Sequence, residues 1–428
     1  MTLRRTIIGS LCAIMIALPA AVLTVPAAAD PVPAFYDQPA PLPPGAPGDV
    51  IRTEPAPLTL SVPIPTGTLP GTATRIMFHT SDTHGSQAVS TGLVLKPAAA
   101  WQGPGPQPLV AYLNGVHGQG RHCAPSLHIP GSIRYSPPLG VMAEYELPFL
   151  YALLAQGYVV VVPDYPGLGT EGTPSALNPI AEARTALDAV RAAQRLGDPA
   201  IPAGGPVVFT GYSQGGNAAG GVAEELTGYA PELDVLGIIA GSVPTDLRVV
   251  LARAEGEALI AVAGYVLNTV SAYSPEAAQA VDQLLSPAGR ALMNDAAGQC
   301  ATEAILRYGF QHSTAWTADG RPLWQNLDEN PVTRDVADRL SLGHRAPRVP
   351  ILLITGDNDD VPAEPVADLA DRWCARGTTV ALHRTGIPAI APGAIVGHSL
   401  NLLAAFPGVM LGWIHDRFAG APAPSTCG

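Results

Sequence analysis

Short apolar runs recur along the chain, separated by longer stretches in which apolar residues return every three or four positions. "TRIMFHTSD" and "STGLVLKP" flank the turn "THGSQ" and read as a β-hairpin. "PLVAYLNG" is a short strand that stops at Asn114-Gly115, and "YALLAQGYVVVVPDYPG" is a helix end, a glycine stop at Gly157 and a strand. The valines Val159 to Val162 leave no polar face, so that strand is expected to be buried on both sides, as parallel strands are. In "IAEARTALDAVRAAQRLG" the residues Ile180, Ala183, Leu187, Val190, Ala193 and Leu196 fall on one helical face, with Gly197 as the stop. "VVFTG", "DVLGIIAGS", "VPILLITGD" and "TTVALHR" supply four more strands. Strands alternating with helices predict an α/β fold, a mostly parallel central sheet flanked by helices.

The alternation breaks between Pro244 and about Pro347, where strand signals vanish and helical ones such as "VVLARAEGEALIAVAGYVL" and "SPEAAQAVDQLLSPAGRALMND" take over. This predicts a helical cap, residues 244–347, inserted between two parts of the sheet-bearing core, 58–243 and 348–428. Its most apolar run, Leu259 to Leu267, is too short to span a bilayer; packing the cap and lining an acyl site are the two uses open to it. Residues 30–57 are too rich in proline for helix or central strand and read as an extended arm laid over the domain. Ahead of them, Arg4 and Arg5, an apolar segment and the small residues Ala27 to Ala29 form the pattern of a cleavable signal peptide, residues 1–29, which makes the expected location extracellular and argues against a stable transmembrane anchor.

Composition narrows the partners. Acids outnumber bases 35 to 23 and Lys96 is the only lysine, so no basic face exists for nucleic acid. Cleavage would remove Cys12 and leave Cys123, Cys300, Cys374 and Cys427, an even set that in an exported chain implies disulfides with three possible connectivities.

Candidate chemistry centres on Gly211-Tyr212-Ser213-Gln214-Gly215. G-x-S-x-G between a strand and a helix is a nucleophile elbow, in which a strained turn presents the serine and glycines admit the close approach of strand and helix. Gly211 and Gly215 are assigned to that turn, and Gly216, Gly220 and Gly221 to close packing of the helix. Valine at Gly211 or Gly215 is therefore expected to damage the elbow far more than at Gly221. A serine hydroxyl is a weak nucleophile and needs a histidine base oriented by an acid, arriving in the order Ser, Asp, His. Asp357, Asp359 and Asp360 in "ILLITGDNDDVP" compete for the acid; the spacing from Gly356 favours Asp359, and Asp360 stays open. Of the later histidines, His383 falls within a strand and His415 within a terminal helix. His398 lies in the glycine-flanked loop "GAIVGHSLN" and is the candidate base. The oxyanion of a tetrahedral intermediate calls for two amides, that of Gln214 and one from "AYLNGVHGQG", with Val116 preferred and Gly115 in reserve. No metal or cofactor is expected. Gly167 to Gly172 fits G-x-G-x-x-G, but Pro174 and Pro179 keep the following residues out of helix, and "DNDD" has Pro362 and Asp368 where a calcium loop needs Gly and Glu.

With these residues placed, the chain resembles the secretory lipase family of α/β-hydrolases. The marks are "FYDQPAPLPPGAPGDVIRTEP", "CAPS" at 123 to 126, "GYVVVVPDYPGLG", "LDAVRAAQ", "GYSQGG" and "GHSLNLLAAFPGVMLGWIHDRFAGAPAPSTC". The resemblance implies the α/β-hydrolase fold with a helical lid, a triad of Ser213, Asp359 and His398, and disulfides Cys123 with Cys300 and Cys374 with Cys427. It also implies a triacylglycerol lipase or carboxylesterase acting on lipid or ester substrates, with transient contact at lipid interfaces. The chain departs from the family in carrying Asn114-Gly115 where members often have His-Gly. The same triad would support acyl transfer to another alcohol, and a catalytically silent lipid-binding protein is the reading from outside the enzyme class.

Overall fold

The apolar runs assemble side by side. In the computed structural model, which describes residues 32–428 apart from 65–66, 137–139 and 173, nine strands among the described residues form one sheet. They are β1 (Val50–Pro55), β2 (Gly71–Ser81), β3 (Gln87–Pro97), β4 (Leu109–Leu113), β5 (Val159–Pro163), β6 (Val207–Tyr212), β7 (Val235–Gly241), β8 (Ile351–Gly356) and β9 (Val380–Thr385). Their spatial order is β1-β2-β3-β5-β4-β6-β7-β8-β9. The pairs β1/β2, β2/β3 and β3/β5 are antiparallel, and every pair from β5 to β9 is parallel. The expected signal peptide, 1–29, lies outside the described residues.

Continuous apolar runs are what a sheet covered on both faces requires, and successive residues divide between the two layers. Val159 and Val161 pack with Ala111, Phe209 and the helices Pro179–Gln194 and Gln214–Tyr229. Val160 and Val162 turn to the opposite face, against Val110, Val208, the helix Leu147–Ala155 and the terminal helix Leu411–Phe418. Each valine so buried contributes on the order of 1.5–3 kcal/mol relative to exposure. The helix Pro179–Gln194 starts where Asn178 accepts the N–H of Ala181 at 3.1 Å and Pro179 opens the first turn.

Between β7 and β8, among the described residues, lie seven α-helices, from Leu247–Ala254 to Pro331–Arg339, around a core of their own that includes Leu251, Ile260, Leu267, Trp316 and Leu323. The run Leu259 to Leu267 is buried there, and no described helix is long and apolar enough to cross a membrane. The arm differs from expectation at one end: Val50–Pro55 becomes the edge strand β1, where one rim faces no partner strand among the described residues and a terminal proline costs no ladder bond. Phe35 and Tyr36 anchor its other end, the Tyr36 hydroxyl lying 2.6 Å from Ser126 Oγ. Cys123–Cys300 joins the segment after β4 to the cap, and Cys374–Cys427 holds the C-terminal tail, whose Thr426 N–H donates to Val380 O at 2.8 Å.

Candidate active site

The carboxyl ends of parallel strands point to one edge of a sheet, so the segments leaving them meet there. Ser213 leaves β6 with φ 60° and ψ −123°, and the helix Gln214–Tyr229 begins at the next residue. Its N–H donates to Gly241 O at 2.9 Å. A non-glycine residue held there costs on the order of 1–3 kcal/mol, and the turn is tight enough to exclude side chains around it. A Cβ on Gly215 would lie 2.0 Å from Leu113 O, and one on Gly211 2.1 Å from Gly215 O. The close packing assigned to Gly221 is as tight: a Cβ there would lie 2.0 Å from Pro179 O, because that helix presses on the backbone opening the helix Pro179–Gln194.

Of the three aspartates that follow β8, Asp359 reaches the imidazole. Its Oδ1 lies 2.7 Å from His398 Nδ1 and accepts the Val361 N–H at 3.0 Å, while its Oδ2 accepts from the Tyr212 hydroxyl at 2.9 Å and Asn401 Nδ2 at 3.2 Å. Asp360 accepts the backbone N–H of His398 at 3.3 Å, and Asp357 lies at the surface beside Arg384. His398 is placed in the first turn of the helix Val396–Ala405 rather than in a loop; Ile395, at φ 63°, makes the break before it. Burial works against a charge on His398, but Asp359, with Asp360 adding in the same sense, outweighs it and lifts the imidazole above its ordinary range. Burial likewise pushes Asp359 up, and His398 with the hydrogen bonds just named holds it below the usual carboxylate range. Ser242 Oγ lies 3.1 Å from His398 Nδ1. Tyr212, Ser242 and Asn401 were not singled out by the sequence. Tyr212 had a signal in its place beside the nucleophile; Ser242, at the end of β7, had none short of the strand order.

β4 lies beside β6, which brings the loop after it next to the elbow. In that loop the Gly115 N–H donates to Glu146 Oε1 at 2.8 Å, so the reserve oxyanion donor is already engaged. Val116 faces the cavity, and Gln214 is buried with its Nε2 donating to Glu182 Oε1 at 2.7 Å. Asn114 is buried, donating to Pro163 O at 2.6 Å. The loop is stitched to the cap by the Ala301 N–H on His117 O at 2.8 Å, the Gln119 N–H on Gln299 O at 3.0 Å and the neighbouring disulfide.

Ser213, Val116 and His398 line one cavity of about 380 Å³, otherwise walled mostly by apolar groups that include Phe149, Leu259, Ile305 and Leu402. A single chain of carbons would be accepted by such a wall, and a reacting carbonyl by its polar end. Two clusters approach metal-binding proximity among the described residues, His122 with Cys123 and Cys300, and His117 with Glu144 and Glu146. The first has its sulfurs in a disulfide. In the second, both nitrogens of His117 are engaged, Nδ1 with Gly115 O at 3.0 Å and Nε2 with Glu144 Oε2 at 3.1 Å, so it is a hydrogen-bonded ion cluster. The sequence did not signal it, since 27 residues separate His117 from Glu144.

The sheet order and inserted cap define an α/β-hydrolase. More particularly, the Secretory lipase family model matches residues 134–426, and the chain belongs to that family. It is 28% identical over 403 residues to probable inactive lipase MT1628 of Mycobacterium tuberculosis, covering 91% of this chain and 82% of that one. It is 30% identical over 282 residues to secreted triacylglycerol lipase LIP4 of Malassezia globosa, covering 64% of this chain and 58% of that one. Among solved structures, Candida antarctica lipase A in its closed state superposes with a TM-score of 0.73 at 21% identity, over 94% of this chain and 89% of that one. The rice cell wall degrading esterase LipA of Xanthomonas oryzae gives 0.69 at 21% identity, over 87% and 100%.

Proposed function

We propose that the protein is an exported lipase or carboxylesterase in which Ser213 attacks the ester carbonyl. His398 takes the serine proton and returns it to the leaving alcohol, and Asp359 holds the imidazole with Nδ1 protonated, leaving Nε2 as the base. The amides of Gln214 and Val116 receive the oxyanion, and water then releases the acyl group from Ser213. The observation that carries this reading is the 2.7 Å contact between His398 Nδ1 and Asp359 beside an apolar cavity that both His398 and Ser213 line. The apolar wall favours acyl esters of lipids as substrates.

The test is hydrolysis of p-nitrophenyl esters of increasing chain length by wild type and Ser213→Ala. Loss of about 10⁶-fold in kcat is expected in the variant, and equal rates in the two proteins would sink the reading. A relative covering most of the chain bears the name probable inactive lipase, which favours a lipid-binding, catalytically silent protein as the second reading. Failure of Ser213 in the wild type to label with a fluorophosphonate would support it.

A further inference from the structure

Three successive peptide units of the loop after β4 are each held by a side chain. The Asn114–Gly115 unit is pinned at both ends, its carbonyl accepting from the Tyr165 hydroxyl at 3.0 Å and its N–H donating to Glu146. The Val116–His117 unit has its carbonyl on the Tyr145 hydroxyl at 3.0 Å. Between them, the Gly115–Val116 unit has its carbonyl 3.0 Å from His117 Nδ1, while its N–H, that of Val116, has no acceptor among the described residues. A carbonyl and an N–H on one planar amide point in opposite directions, so whatever fixes the carbonyl aims the N–H. We propose that His117 is a positioning residue for hydrolysis: through its Nδ1–H on Gly115 O it aims and polarises the Val116 N–H that receives the oxyanion. This rests on the assignment of Val116 under the proposed function.

The surroundings of His117 suit that task. Glu144 lies at Nε2, Glu146 Oε2 lies 4.0 Å away, Tyr145 stacks on the ring at 5.1 Å, His128 stands 6.4 Å off, and Tyr112 neighbours the two glutamates. Burial opposes a charge on His117, but Glu144 and then Glu146 outweigh it and raise the imidazole to about 9. Burial, against the pull of His117, and the charge of Glu144 push Glu146 up to about 7. At neutral pH the ring is then cationic with both N–H groups in place, and a charged donor polarises the amide more than a neutral one. When the ring loses a proton, Glu144 retains the one on Nε2, and Gly115 O loses its donor.

Two variants separate this role from a structural one. His117→Gln can keep the Nε2 contact with Glu144 while presenting nothing to Gly115 O; His117→Asn can donate to Gly115 O while leaving Glu144 without its partner. With soluble p-nitrophenyl butyrate, H117Q is expected to keep a Tm near wild type and lose about 10- to 100-fold in kcat at little-changed KM, below the 10²–10³ of an absent oxyanion donor. H117N is expected to have the lower Tm and lose less than about fivefold. The wild-type kcat should also fall above pH about 9, a limb that H117N lacks. Activity that follows Tm across the two variants, or full activity in H117Q, would overturn the proposal while leaving Ser213 labelling intact. A wild type that neither hydrolyses esters nor labels at Ser213 would overturn the underlying reading, and this one with it.

Discussion

Replacing Asp359 and Asp360 in turn by asparagine separates two adjacent carboxylates that perform different tasks. Asp359 meets the imidazole at 2.7 Å, and Asp360 meets a backbone N–H at 3.3 Å. In Asp359→Asn the amide can still bond to Nδ1, but through its NH₂ it favours the wrong tautomer, placing the proton on Nε2 where the base lone pair is needed. A loss of about 10⁴ in kcat follows, or about 5.4 kcal/mol at 1.36 kcal/mol per tenfold. Asp360→Asn keeps an acceptor for the His398 N–H and loses one charge at a helix start, about 0.3–1 kcal/mol, so less than about fivefold. The pH profile supplies a second, signed readout. His398 must be neutral to act as base, so kcat/KM falls as pH drops through its pKa, which Asp359 holds above the ordinary imidazole range. Removing that carboxylate leaves burial unopposed at close range, and the acid limb should move to lower pH as the plateau falls. D360N should move it less, in the same direction. The assay is kcat/KM for p-nitrophenyl butyrate from pH 4 to 10, with circular dichroism to confirm folding. A D360N loss equal to that of D359N, or an acid limb in D359N at or above the wild-type position, would refute the reasoning.

Two further outcomes are expected. Gly221→Val should lower Tm by as much as Gly215→Val, because each places a Cβ 2.0 Å from a carbonyl oxygen, Pro179 O and Leu113 O. Thermal melts of the two variants check this, and a G221V melt close to wild type would show that the helix Gln214–Tyr229 can shift. Cys300→Ser should cost about 2–5 kcal/mol of stability. It should also lower kcat well below the melting temperature, since Cys300 adjoins the Ala301 N–H that holds His117 O; C374S, at the far disulfide, should lower Tm without that loss.

How much was legible in the chain depended on whether the signal was local. Of the six parallel strands, those inside the sheet announced themselves because two-sided burial leaves few polar positions, as in Val159 to Val162; the edge strand β9, with His383 and Arg384, did so by its place after a helix. The elbow was legible because a strained turn between strand and helix admits few residues beside Ser213. Spacing from Gly356 favoured Asp359 among the three aspartates but left Asp360 open; closing that choice needs the path of the chain after β8 relative to the helix Val396–Ala405. The arm concealed β1, since "VIRTEP" carries little alternation and gains strand character by pairing with β2. Glu144 and Glu146 gave no sign of meeting His117, because nothing in "AEYELP" refers to a loop 27 residues earlier.

The distribution of energetic costs bears on whether this chain performs chemistry. A module that merely bound lipid would need an apolar cavity, and leucines would build it. Here Ser213 is held at φ 60° without glycine, Asp359 and His398 form a buried pair, and His117, Glu144 and Glu146 form a buried ion cluster beside the same cavity. Buried ion pairs return little net stability after desolvation, and a strained backbone returns none. Three such costs border one cavity of about 380 Å³, while others lie elsewhere in the molecule, among them the buried Asp164 and Asp188 and the positive φ of Ser132 and Phe310. Under the proposed mechanism, two of the three act on groups that hydrolysis requires: the nucleophile and the tautomer of its base. The third acts on the peptide unit whose N–H, that of Val116, has no acceptor among the described residues. Destabilising features so aligned with a single reaction favour an enzyme over a silent binding protein of the same fold.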